Sequence, residues 1–335
     1  PILQSADGAL FVRVDDRVHP VANLASARLI VGEPAEPARI GAELLAGTER
    51  GVPLGIHPAP MVFGADEQDG LNWSVCHGNG TVTVVAGDHV IPLGGHRGVL
   101  ASADGTDWLL TAEGRRQLPH PESNSGRIIR RTLDVGPGTP RWTPPVEVLN
   151  AVAEGEPLRI PESLPEEILD TGTGLWARLP GGVARVSGTQ AAALADAGVA
   201  VREIPRTGLA GHPDASLHLS LPAVVPLWID PAELTVCATG DGRVTTLSPA
   251  GHRPVTLSGE GTADEFIGGS GAAVAVDTGH GHHVIDATGL RHRVPDRTGL
   301  VALGLPDPGP APWAVVRLLP EGEPLTAEAA LRAAY

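Results

Sequence analysis

LFVRVDDRVHPV, Leu10 to Val21, decides the fold, because its pattern returns three more times along the chain. WLLTAEGRRQLP (Trp108 to Pro119), LWARLPGGVARV (Leu175 to Val186) and HVIDATGLRHRV (His283 to Val294) align with it without gaps over twelve residues. In each, an apolar half-strand meets a turn whose seventh position is Asp16, Gly114, Gly181 or Gly289. A second half-strand then ends on Val21, Leu118–Pro119, Val186 or Val294. Tight hairpins need one or two residues at positive φ, which Gly, Asp and Asn tolerate best. Four hairpins of one kind mean a modular chain.

Short helices are expected after three of the hairpins. Asn23 can cap NLASARLIV, Ser187 or Thr189 can cap TQAAALADAG, and Asp296 can cap DRTGLVALGL. A lone hairpin is marginal in water, so these units should lean on something larger. The Val-, Thr- and Gly-rich stretches between them are the candidates. The expected fold class is α+β, mainly β: four hairpin-plus-helix units around a two-part, pseudo-twofold β core. The expected boundaries are unit 1 over 1–50, the first core half over 51–100 and unit 2 over 101–138. A Pro-rich linker over 139–170, with one short helix capped through Ser163 and Glu166 in SLPEE, leads to unit 3 over 171–210. The second core half spans 211–268, and unit 4 with a C-terminal segment spans 269–335.

Composition narrows the function. Gly 43 and Pro 32 in 335 residues punctuate the chain too often for long helices. All 24 basic residues are arginine. Without a lysine there is no P-loop amine and no Schiff-base chemistry. The net charge of −15 and scattered arginines disfavour nucleic acid and anionic lipid as partners. Arg127, Arg130 and Arg131 in GRIIRR are the densest basic group and are expected in a solvated loop or strand. The most apolar run, Leu221 to Ile229, is too short to span a bilayer and carries Pro222 and Pro226. A chain opening at Pro1 is expected to be a fragment.

Cys76 in NWSVCHG and Cys237 in ELTVCATG each end a short alternating run before a Gly-containing turn. Their matching surroundings suggest pairing, which would close a loop of about 160 residues, stabilising by roughly 5 kcal/mol in the chain-entropy account. Such a bond implies an oxidising compartment; two buried free thiols are the alternative. Neither cysteine has zinc-type neighbours. His280, His282 and His283 in GHGHH, with His292 across the hairpin, are weak metal candidates, since alternate strand residues share a face. Gly279 and Gly281 point instead to a loop tip.

No GxxxxGK[ST], GxSxG or HExxH occurs, so no catalytic residue and no cofactor is assigned. Gly268-Gly269-Ser270-Gly271 and Pro180-Gly181-Gly182 read as turns. Cell-wall binding would call for exposed aromatics, and the six tryptophans mostly sit in apolar runs.

Several segments carry a resemblance. RVHPVANLASARLIVGEPAEPARIGAELLAG (Arg17 to Gly47), WSVC around Cys76, TPRWTPPVEVLNAVAEGEPLRIP and APWAVVRLLPEGEPLTAEAAL are similar to stretches of the EccB family of type VII (ESX) secretion systems. The likeness runs from about residue 9 to 332 and is weaker around Pro60–Trp108 and Pro213–Gly269. It implies an extracytoplasmic scaffold with four repeat domains around a core, anchored in the cell membrane by one N-terminal helix. It also implies a Cys76–Cys237 disulfide and assembly with EccC, EccD, EccE and further EccB copies. Peptidoglycan binding, and the ATPase label that some members bear, are the alternatives it leaves open.

Overall fold

The computed structural model describes residues 1–61, 63, 71–249, 251–268 and 271–334, so Gly269 and Ser270 of the expected turn lie outside the described residues. The chain gathers into two compact units, Pro1–Val90 with Leu247–Tyr335, and Ile91–Thr246. The architecture is mainly β with short helices.

Each hairpin belongs to a sheet in which four strands share one order, and in the second Leu227–Trp228 adds a fifth strand, parallel to Arg97–Ala103. In the first unit, Arg17–Val21, Leu10–Val14 and Ile2–Gln4 run antiparallel, and Ala38–Arg39 returns parallel to Ile2–Gln4. Arg291–Val294, His282–Ile285, Val274–Asp277 and Gly309–Pro310 repeat that order. In the second unit the sheets are Gly114–Gln117, Thr106–Thr111, Arg97–Ala103, Arg141–Trp142 and then Gly182–Val186, Leu175–Leu179, Glu167–Asp170, Val201–Glu203. The hairpin is thus the outer part of a larger motif: a strand precedes it, and a helix carries the chain back to a short parallel fourth strand. The strand Arg97–Ala103 crosses the expected boundary at residue 100.

All four motifs have the helix, including the second, where the sequence pattern predicts none. Asn23, Ser187 and Asp296 cap Leu24–Val31, Gly188–Asp196 and Arg297–Leu303, and Ser187 forms a full capping box with Gln190. The fourth helix corrects the reading of GRIIRR. Asn124–Thr132 is helical, started by Ser123, whose hydroxyl accepts the Gly126 amide. Ile128 and Ile129 then face a core of Leu100, Leu109, Leu118, Leu133 and Leu158. SLPEE is corrected as well. No helix forms at Ser163–Glu166; the Glu166 amide donates to the Arg178 carbonyl and Glu167–Asp170 becomes a strand. Sheet pairing and the carboxylate bonds of Glu166 and Glu167 to Arg178 outcompete a one-turn helix interrupted by Pro165. The short helix of this region is Val146–Leu149.

Hairpin turns differ more than the gapless alignment suggests. Val14 pairs with Arg17 and Thr111 with Gly114, whereas Ile285 pairs with Arg291 around a five-residue loop in which the Asp286 carboxylate accepts the Thr288 and Leu290 amides. In the first turn the residue at positive φ is Asp15, not Asp16.

The first unit buries Leu29, Val284, Val294, Leu300, Leu303 and Leu325 in a common core of its two motifs. It also contains the strands Trp73–Gly78 and Thr81–Ala86, extended by Glu265–Ile267 and Val255–Thr256. In the second unit Val236, Cys237 and Ala238 pair antiparallel with Thr246, Thr245 and Val244.

Candidate functional site

One feature of the motifs lay beyond the twelve-residue alignment. Glu-Gly-Glu-Pro-Leu occurs twice, at Glu154–Leu158 and Glu321–Leu325. Both copies lie as a further, parallel segment against the third strand of a motif. The Arg115 amide donates to Ala153, Gly155 to Arg115 and Leu158 to Gln117, each at 2.8 Å. Arg291 donates to Pro320, Gly322 to Arg291 and Leu325 to Arg293, at 2.9–3.0 Å. The other two motifs use the same backbone contact at Val18 and Val183, which bridge Arg50 and Asp214. Gly114 permits the approach, since a Cβ there would meet the Ala153 carbonyl at 2.4 Å.

A buried arginine clamps each copy. Arg115 is 8% exposed; its Nη1 donates to the Leu149 carbonyl and to Asn150 at 3.1 Å, its Nη2 to Glu154 at 2.9 Å, and its guanidinium lies 4.5 Å over Trp108. Arg291 donates to Glu321 at 3.1 Å and lies 5.1 Å over Trp313. Planar guanidinium suits both the carboxylate and the ring face. Two of the six tryptophans therefore cover arginines, while Trp73 and Trp142 are core.

Beside the first clamp, Glu156 binds Arg159 at 2.6 Å and His218 at 2.8 Å, and Arg116 reaches Ser220 at 2.8 Å. Hydrogen bonding from His218, helped by the nearby cations, keeps the Glu156 carboxyl below its ordinary range. Arg159, Pro161, Glu162, His218 and Ser220 line a cavity of about 270 Å³ there. The charges are paired with one another, so the arrangement fastens segments together.

The histidines do not converge. The strand begins at His282, so His280 lies outside it, and His282 and its neighbour His283 take opposite faces. His282 lies 3.8 Å from Asp277, while His283 stacks on Trp313 at 5.4 Å between ring centres. His280 sits in the turn, 6.0 Å from the same ring. Among the described residues no three His, Cys, Asp or Glu side chains approach as a metal-holding group. Cys76 and Cys237 are buried and both disulfide-bonded; no cysteine is free. No helix among the described residues is long and apolar enough to cross a membrane.

The family profile described as type VII secretion system ESX-1, transport TM domain B, matches residues 2–194 and 170–334. The ESX-5 secretion system ATPase EccB5 of Mycobacterium tuberculosis is 34% identical over 180 residues, 48% of this chain and 35% of that protein. The ESX-1 secretion system ATPase EccB1 of the same species is 29% identical over 223 residues, 56% of this chain and 45% of that protein. The chain thus spans less than half the length of these curated relatives. A chain of the periplasmic assembly from the ESX-5 inner membrane complex superposes with a TM-score of 0.79 at 25% identity, covering 100% of this chain and 96% of that one. The EccB3 dimer from the ESX-3 core complex gives 0.77 at 24% identity and matches in fold, covering 99% and 100%.

Proposed function

The chain belongs to the EccB family of type VII secretion components, and on that premise we propose that it is an extracytoplasmic scaffold of a type VII secretion membrane complex. The observation that carries this reading is the end-to-end match to a periplasmic ESX-5 chain. The four sheet motifs serve as repeat domains around a core, Cys76 pairs with Cys237, and the full protein is held at the cell membrane by one helix N-terminal to this part. Its partners are EccC, EccD, EccE and further copies of itself. The clamps support a structural role, because buried Arg115 and Arg291 already have carboxylate and ring partners. ATP hydrolysis, which the relatives' names carry, has no lysine to serve it here.

The test is to delete residues 1–335 from the full protein in its own host and to size the membrane complex on native gels. Collapse to smaller subassemblies is expected. An intact complex contradicts the scaffold role.

A further inference from the structure

The second and fourth motifs share one register about their buried arginines: Leu110 faces Arg115, and Ile285 faces Arg291. By that register His283 stands where the second motif has Trp108, and His292 where it has Arg116. A ring that never ionises and a cation that never discharges are replaced by two imidazoles. His283 is 4% exposed and His292 0%.

Both rings bear on one segment. His283 stacks on Trp313 at an interplanar angle of 27°, sharing that indole with Arg291. The Nδ1 of His292 donates to the Glu323 carbonyl at 2.8 Å, and its ring fills the space where a Cβ on Gly322 would come within 2.6 Å. Because a carbonyl can only accept, Nε2 is the unprotonated nitrogen of the neutral His292 ring, and it is buried without a hydrogen-bond partner among the described residues. The Nδ1 of His283 is likewise buried and unpartnered. Beyond Glu323 the chain continues into the helix Ala327–Ala330, which packs on Leu24–Val31, and into Ala333, which bridges Leu54.

We infer that His283 and His292 form an acid-opened latch that holds the strap 312–334 on the fourth and first motifs. In the neutral state two buried rings pack the strap down. A second proton, on Nε2 of His292 or Nδ1 of His283, places a charge in a buried ring at a nitrogen with no acceptor among the described residues, which strongly favours the state in which the ring is wet.

The surrounding charges set the direction. Around His283, burial acts first and Arg291 next, with Arg293 adding, against Glu321 and the Gly281 backbone; together they lower its pKa to about 4. Around His292, burial outweighs the Glu323 carbonyl and Asp286 and also lowers it. His77, on the strand packed against the Trp313–Val316 helix, is kept neutral by burial against the pull of Asp264. A histidine depressed in the closed state binds its proton more readily once open. Closure is therefore complete above about pH 6.5 and weakens as pH falls toward 4. For His283 alone the full span corresponds to about 300-fold in the closed-to-open ratio.

Hydrogen exchange of the 335-residue chain, corrected for the intrinsic pH dependence, tests the latch. Between pH 7.5 and about 4.5, exchange of 312–334 is expected to rise at least tenfold while the sheet Gly114–Gln117/Thr106–Thr111 stays constant. In the H283F/H292Q variant the strap should not respond. A rise spread evenly over the chain, or an equal strap rise in the variant, overturns the latch. If the variant does not fold, imidazole and strap-amide signals of the wild type are followed by NMR; strap opening whose midpoint departs from both histidine titrations overturns it equally.

Discussion

Arg115 and Arg291 place the heaviest demand on single side chains. Each is buried, holds a carboxylate and lies on a tryptophan, so truncation loses packing and strands the carboxylate, and at Arg115 the Leu149 carbonyl as well. Arg115→Ala and Arg291→Ala are expected to lower stability by about 3 kcal/mol each. Glu154→Gln and Glu321→Gln remove half-exposed partners and should cost less than about 1 kcal/mol. Urea unfolding of the four variants checks the asymmetry, and equal losses would contradict the clamp. At this scale the sequence was readable only in part. The repeated Glu-Gly-Glu-Pro-Leu is visible to the eye, but it lies outside the hairpins and marks no known chemistry. Which arginine is buried is set by the segment that arrives from far along the chain, as Ala153 reaches Arg115. The histidine run was not legible for a simpler reason: spacing alone cannot say at which residue a strand begins, and a start at His282 leaves His280, its expected same-face neighbour, outside the strand.

Among the elements, the helix Asn124–Thr132 is the best place for a test. Ser123→Ala removes the side chain that accepts the Gly126 amide and should cost about 1 kcal/mol in thermal or chemical unfolding. The same helix sends Arg130 to Asp107 at 2.9 Å, where Arg141 also binds. Burial works against ionisation of Asp107, yet the bonds from Arg130, Ser102 and Arg141 outweigh it and hold the carboxyl below its usual value. The linkage has a definite sign. A depressed carboxyl contributes stability above its unfolded pKa, near 4, and that contribution is lost as pH falls through the folded value. Asp107→Asn should therefore lower stability at neutral pH and flatten its decline in acid, read by urea titrations at several pH values. Caps at Asn23, Ser187 and Asp296 were legible because polar cap and apolar face are local signals. The helix at Asn124 was not, because its arginines mask an amphipathic face whose burial only the core reveals. The parallel fourth strands, two or three residues long, carry no periodic signal at all.

For the molecule as a whole, repetition was legible and its full extent was not. Four hairpins announced themselves through turn chemistry, whereas the strand before each and the strand after each helix appear only through pairing. The disulfide belongs to this scale. Reducing Cys76 and Cys237 releases a constraint on a loop of about 160 residues, and a loss approaching 5 kcal/mol is expected from the entropy of the unfolded chain, measurable as a lower urea midpoint with dithiothreitol than without. The scaffold role is tested most directly by affinity-purifying the full-length protein from its own membranes in mild detergent and quantifying what accompanies it by mass spectrometry. The account predicts the other conserved secretion membrane subunits in constant ratio to it, with the ratio lost when the Arg115 and Arg291 clamps are both removed. A full-length, folded protein that purifies without them would contradict it.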